Sequence, residues 1–411
     1  MCRLTLTEED RDVRDWLVKE CRSLGCDVKV DQMGNIFAIR PGKSKDRKPI
    51  AMGSHLDTQP AGGRYDAGHN IEKSSLTYTR YDGILGVQSA LEVLRTLHEN
   101  NVETYCPIAL IDWTNEEGAR FPGAMMASGV WSTKSSTSLE ACWNLKDKED
   151  VRMKDALQQI GYLGPTPCDY RESGLECHFE LHIEQGPILE KEGKSVGIVT
   201  SVQGMKWFAI RVEGTEGHSG TTPMAGRADA LVTASRLITA VRDSARKTEL
   251  GVATVGVISS DTSSQATIPA GINFIIDIRC STDEMVEQLA AFTFAEFDNI
   301  VSQEDNGTSY RIERSWGLPE SIFHPHCIEA VRASAIGLVG EDQTLEMKSR
   351  AGHDSAWTSR VCPTSMIFVP SKDGISHNPH EYTSPEHCAL GSQTLLDSVL
   401  YYDSKVESGA F

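Results

Sequence analysis

The sequence predicts an α/β protein with a central mixed sheet, interrupted by a smaller α+β domain. Three observations lead there. An apolar run at Ile50 to Met52, a helical-period segment from Ile84 to Leu97 and a second apolar run, Ile108 to Trp113, read as strand, helix and strand. Polar residues suited to chemistry follow these strands at their carboxyl ends, where open α/β sheets build sites. Composition shifts after Gly204 and returns to α/β character near Phe323. Residues 205–322 therefore read as an insertion between two parts, 1–204 and 323–411, of one domain.

In chain order, Thr7 caps a first helix with Glu8, Glu9 and Asp10 in its opening turn, and Gly25 ends it. Val28 to Val30 and Asn35 to Ile39 form a hairpin-like pair around Met33-Gly34. The Pro49 strand follows, and Asp82-Gly83 opens the Ile84 helix with Asp82 as N-cap. Within the insertion, Trp207–Val212, Val252–Ile258 and Ile272–Arg279 read as strands, and Ala228–Arg242 and Asp283–Phe297 as helices. A helix near Cys327 to Leu338, a buried strand at Met366–Val369 and a helix after Pro385 complete the chain.

A length of 411 residues suggests two or three domains. A net charge of −18 argues against a nucleic-acid partner, because phosphate binding needs a basic surface. No apolar run approaches the ~20 residues of a membrane span, and Met1-Cys-Arg-Leu-Thr5 lacks the apolar core of a secretory signal. Eleven scattered cysteines, an odd number, do not form a secreted disulfide framework, so the expected location is cytoplasmic.

Several polar residues gather at strand ends. His55 closes one strand, and Asp57 is placed to receive the second ring nitrogen of a metal-bound imidazole. Glu116 and Glu117 follow the Ile108 strand; adjacent side chains point apart, so one can bind metal while the other acts as general base. Alternation sets His178, Glu180, His182 and Glu184 on one strand face. His377 lies in the loop after Val369. The candidate ligands are His55, Asp66 or Asp82, Glu117, His182 and His377, a nitrogen-and-oxygen set that suits zinc, manganese, cobalt or nickel. A two-metal site needs one bridging carboxylate.

The strings GSHLDTQPAGGRYD, RYDGILGV, DWTNEEGARF, ELHIEQGPILE, GHSGTTPM, AGHD and SHNPHE resemble the N-carbamoyl-L-amino acid hydrolase, β-ureidopropionase and allantoate amidohydrolase family, part of the clan of dinuclear aminoacylases and carboxypeptidases. The resemblance spans nearly the whole chain, with the motifs in the family's order. It implies a zinc-peptidase-like catalytic domain and a lid that also makes a homodimer. The implied activity is hydrolysis of C–N bonds in a small ureido or amide substrate, with two divalent ions per subunit, zinc first among them. Under it, His55 and His182 resemble the ligands of one metal, Glu117 and His377 those of the other, and the Arg-Tyr-Asp aspartate the bridge. Glu116 resembles the general base, Asp57 the residue orienting His55, and His218 a lid histidine that steadies the oxyanion in a neighbouring subunit's site. Arg279 resembles the clamp on a substrate carboxylate, and Gln185 is expected to touch substrate or support His182. His353 reads as a wall of the substrate site or a packed loop histidine.

The chain departs from that family in named places. The family runs Gly-Gly-Arg-Tyr-Asp-Gly straight into the helix, whereas residues 67–82 intervene here between two Arg-Tyr-Asp copies. Asp66 keeps the spacing from His55 and Asp82 keeps the helix that follows; Asp82 is preferred. The segment is polar, aperiodic and flanked by duplicated sequence, as a retained intron or gene-model error would be. Ala266 stands where the family has a substrate-binding Asn, Arg350 replaces a Gly, and the family has a further helix before the equivalent of Arg3-Leu4. Competing readings are an aminoacylase or dipeptidase of the same clan, and a catalytically impaired homologue.

Overall fold

The computed structural model describes residues 2–60, 81–304 and 306–411. They form two compact units, one of Met1–Ser201 with Ser321–Phe411 and one of Val202–Glu320.

The first unit is built on a mixed sheet. β1 (Asp27–Val30) and β2 (Ile36–Arg40) form an antiparallel hairpin, and β2 lies antiparallel to β4 (Ile108–Trp113). β3 (Ile50–His55) runs parallel to β4 on one side and to β5 (Cys177–Ile183) on the other. The strand Thr364–Val369 continues the parallel set beside β5, and Val196–Val202 lies antiparallel to it and pairs in turn with Ser321–Ile322 and Thr344–Ser349. Every residue of β3, β4, β5 and Thr364–Val369 is buried. That is why Ile50–Met52, Ile108–Trp113 and Met366–Val369 read as apolar runs without alternation: parallel strands are covered on both faces. Helix Ile84–Glu99 packs on β3, β4 and β5 through Leu85, Leu91, Leu94 and Leu97, and helix Pro385–Glu407 lies against it. Each such leucine contributes roughly 1.5–3 kcal/mol by leaving water.

The first helix, Glu8–Ser23, is capped by Thr7, whose hydroxyl accepts the Asp10 N–H. It carries a fully buried cation. Arg14 donates to Asp10 at 2.8 Å and the Gly34 carbonyl at 2.8 Å, and pairs with Asp112 of β4 at 3.2 Å. Burial opposes that charge, but the two carboxylates outweigh it and hold the guanidinium's proton more tightly than usual. Nothing in the helical spacing marks Arg14 for this role.

The second unit is a four-stranded antiparallel sheet in the order Ser309–Leu318, Gly204–Glu213, Gly271–Cys280, Gly251–Ser260. Helices Ala230–Thr248 and Asp283–Glu304 pack on it around Ile210, Leu237, Ile276, Leu289 and Phe297. The strand Ser309–Leu318 is not legible in the sequence, because Arg311, Glu313 and Arg314 leave it mostly exposed and a register shift between Arg314 and Trp316 breaks the alternation of Tyr310, Ile312, Trp316 and Leu318. Among the described residues no helix is long and apolar enough to cross a membrane.

Candidate metal centre

Four neighbouring parallel strands deliver the candidate residues at or beyond their carboxyl ends. His55 is the last residue of β3 and His182 lies one from the end of β5. Glu116 and Glu117 follow β4, and His377 follows Thr364–Val369. Asp82 arrives from the other direction, just before helix Ile84–Glu99. Asp82 is not the N-cap expected from the sequence. Gly83 occupies that position with φ +69°, and no side chain caps the helix. The Asp82 carboxylate faces the histidines instead. Gly83 must be glycine for a second reason: a Cβ there would lie 2.3 Å from the His55 ring.

The two oxygens of Asp82 look at different partners. Oδ1 lies 3.1 Å from His182 Nε2 and 3.8 Å from His55 Nε2. Oδ2 lies 3.2 Å from His377 Nε2, which is itself 3.5 Å from Glu117 Oε2. His55, Asp82 and His182 thus make one group of donor atoms within 4.8 Å of each other, and Asp82, Glu117 and His377 make a second. His55 and His182 each turn Nδ1 to a backbone carbonyl, of Asp57 at 2.9 Å and Ile183 at 2.8 Å, which leaves Nε2 toward the centre. A divalent ion fits this donor set, because imidazole nitrogens and carboxylate oxygens converge and, among the described residues, no lysine or arginine joins either group.

Asp57 works differently from expectation. Its carboxylate is 3.8 Å from His55 Nδ1, and its backbone oxygen takes the hydrogen bond. The carboxylate accepts the amides of Glu116 and Glu117 at 3.2 Å each, so Asp57 ties the β3 loop to the β4 loop. Glu116 and Glu117 diverge as expected: Glu116 Oε2 lies 3.6 Å from His55 Nε2, and Glu117 Oε2 accepts from Gln59 at 2.9 Å.

Electrostatics report a site short of positive charge. Burial, with Asp354 and the neighbouring carboxylates, holds the Glu116 proton affinity well above the usual range. Glu117 is pushed up to about 8 by burial and Asp82, and Asp57 to about 7 by burial and Asp10. Burial lowers His55 to about 4. Burial also opposes charging of His182 and His377, but Asp82 outweighs it and holds both at about 9. Asp82 draws protons onto His182 and His377, and a divalent cation among the same donors would displace those protons and take their place beside the carboxylate.

The loops that carry these residues are strained at similar points. Asn115, Gln185 and His377 all have left-handed backbone, at φ +56°, +58° and +54°. Each costs roughly 1–2 kcal/mol in a non-glycine residue.

The profile of peptidase family M20/M25/M40 matches residues 51–401. The chain belongs to this family. An N-carbamoyl-L-amino-acid amidohydrolase of Rhizobium meliloti is 37% identical over 97% of this chain and 90% of its own length. An allantoate amidohydrolase of Bacillus subtilis is 31% identical over 96% and 91%. The crystal structure of a hydantoinase/carbamoylase family amidase from Burkholderia vietnamiensis superposes with a TM-score of 0.86, at 38% identity, covering 98% of this chain and 92% of that one. This chain is an M20-family enzyme.

The remaining expected residues of the M20 site fall as follows. Gln185 donates through Nε2 to Asp82 Oδ2 at 2.8 Å, so it holds the shared carboxylate; its Oε1 is buried and has no hydrogen-bond partner among the described residues. His353 is buried, its ring 4.5 Å from that of His182 and its Nε2 3.0 Å from Ser349 Oγ. His218 and Arg279 belong to the second unit. His218 Nδ1 accepts the amides of Gly220 and Thr221, which leaves its proton on Nε2. Arg279 is paired with Asp277 through Nε and Nη2. Asp66 lies outside the described residues, as do the intervening residues 67–80.

Sequence reasoning missed Glu381 and Ser376. Glu381 accepts the Asp82 amide at 3.3 Å and the Ser376 hydroxyl at 3.0 Å, and Ser376 Oγ lies 2.9 Å from Asp82 Oδ2. Both sit inside the SHNPHE string, but string spacing cannot tell a ligand from its support.

Proposed function

We propose that the protein hydrolyses N-carbamoyl amino acids or a related ureido acid, such as β-ureidopropionate or allantoate, to the amino product, carbon dioxide and ammonia. The observation that carries this reading is Asp82, shared between two donor groups, with Glu116 beside one of them. His55 and His182 would hold one ion and Glu117 and His377 the other, with Asp82 between them; zinc is the first choice, with manganese, cobalt or nickel as alternatives. Bound ions supply a water acidic enough to lose its proton near neutral pH and a Lewis acid for the carbonyl.

The chain's own residues do the rest. Glu116 takes the proton of the attacking water at its carboxylate, in a buried setting that raises its affinity for that proton. The hydroxide adds to the ureido carbonyl, and Glu116 returns the proton to the leaving nitrogen. The C–N bond breaks, and the carbamate collapses to carbon dioxide and ammonia. His218, with Nε2–H as its donor, steadies the developing oxyanion in a neighbouring subunit of a homodimer. Arg279, aimed by Asp277, clamps the substrate carboxylate. The expected setting is the cytoplasm.

The test is a substrate panel. Purified protein with added zinc or manganese is expected to release ammonia from N-carbamoyl amino acids, and to lose that activity on chelation and regain it on metal return. Release from N-acetyl amino acids or dipeptides instead would move the protein to the aminoacylase or dipeptidase reading. No turnover of any of them, with two ions bound, would support the impaired homologue. In the active case, His218→Ala is expected to lower kcat by about 10²–10³-fold with little change in metal content, as loss of an oxyanion donor does.

A further inference from the structure

Beneath the metal-binding histidines lies a buried polar chain that the mechanism above does not use. Glu180 is fully buried on β5, two residues before His182 and therefore on the same side of the strand. One carboxylate oxygen accepts the Ser54 hydroxyl at 2.7 Å. The other accepts the Ser355 hydroxyl at 2.6 Å and the Ser355 amide at 3.1 Å. Ser54 is the residue before His55, and Ser355 lies two residues after His353, whose ring packs on His182. A single side chain therefore grips β3 at the root of His55, β5 at the root of His182, and the turn that backs the His182 ring.

We propose that Glu180 is the positioning residue for one half of the metal centre, the His55–His182 half, and leaves the Glu117–His377 half to other supports. This rests on the two-ion reading given above. Three hydrogen bonds to one buried carboxylate leave little freedom to any of the three segments, and metal ligands need placement within about 0.5 Å. The hydrogen bonds of Glu180 run to Ser54 and Ser355, away from Glu117 and His377. Those two are held by Gln59 and by the Asp82–Ser376–Gln185 group.

The alternating sequence disguises this role. Glu180 shares a face with His178, His182 and Glu184, and by spacing alone it has equal claim to be a ligand. Geometry separates them: Glu180 is absent from both donor groups.

Stepwise titration of metal-free protein with cobalt(II), followed by visible absorption and calorimetry, tests the assignment. The wild type is expected to bind two equivalents. Glu180→Ala is expected to weaken one equivalent by about 10–100-fold, the size seen when an outer support of a ligand is lost, and to leave the other within threefold. Glu180→Gln keeps the volume and allows a serine hydroxyl to rotate and accept, so it carries the test if the alanine variant fails to fold; the same single equivalent is expected to weaken, by less. Both variants should unfold, metal-free, within a few degrees of the wild type. Two wild-type affinities in a folded variant overturn the proposal. So does equal weakening of both equivalents together with a large loss of metal-free stability, since that marks a general structural role. A wild type that binds no cobalt removes the two-ion reading itself, and this inference with it.

Discussion

Glu116→Gln is expected to lower kcat for ureido hydrolysis by about 10²–10⁴-fold while the protein still takes up two divalent ions. A carboxamide of the same shape occupies the same space but cannot accept the water's proton. Position favours Glu116 as the base, since its Oε2 is 3.6 Å from His55 Nε2, yet the side chain belongs to neither group of candidate ligands. Its backbone is fixed from two sides, by the Asp57 carboxylate on its amide and by the Met125 amide on its carbonyl, so the substitution should not disturb the loop. The environment points the same way. Burial among Asp354, Glu117, Asp57 and Asp82 raises the affinity of Glu116 for a proton, which suits a base that must hold one between two steps. Glu117→Gln makes the useful contrast. It removes a candidate ligand beside His377, and is expected to lose an ion as well as activity. Kinetics paired with elemental analysis of both variants distinguishes the two roles; kcat within threefold of wild type for Glu116→Gln would remove it from the chemistry.

Much of this site is legible in the amino-acid sequence, and the reason is topological. Parallel strands buried on both faces advertise themselves as apolar runs, and the polar residues that break those runs mark the sheet's functional edge. His55, Glu116 and Glu117 need no more than that. Sequence does not show how the loops fold between strand end and site. Its spacing from His55 suggests that Asp57 offers its carboxylate to that ring; the chain instead turns so that its carbonyl does so, and the carboxylate is released to bind two amides of a distant loop. Asp82 has the sequence position of a helix cap; a glycine at positive φ takes the cap and turns the carboxylate to the histidines. Spacing carries the periodicity of regular elements, and these outcomes depend on single dihedral angles outside them. Ser54, Ser355 and Ser376 are invisible for another reason: serine is common everywhere, and only its partners give it a role.

Asp82→Ala is expected to lose both ions on dialysis and to abolish turnover, whereas Asp66→Ala is expected to keep both. No other described residue belongs to both donor groups, so its removal takes a ligand from each ion at once. The loss is not confined to coordination. Asp82 is also the charge that raises His182 and His377 to about 9, so its removal takes from both rings the partner that favours their charged form. Position 82 also has supports that no passing residue could inherit: Gln185 and Ser376 on Oδ2, and Glu381 on its backbone amide. Asp66 bears the same tripeptide and the family's spacing from His55, so the competing outcome is concrete. Metal loss in Asp66→Ala with retention in Asp82→Ala would give the bridge to the first copy. Deleting residues 67–82 joins Asp66 directly to Gly83 and restores one uninterrupted Gly-Gly-Arg-Tyr-Asp-Gly. That variant presents an aspartate at the same place before the helix, next to the same glycine. It is therefore expected to bind two ions, and to lose them when Asp66→Ala is introduced into it. The aspartate's place against Gly83, rather than its distance from His55, then decides which copy serves.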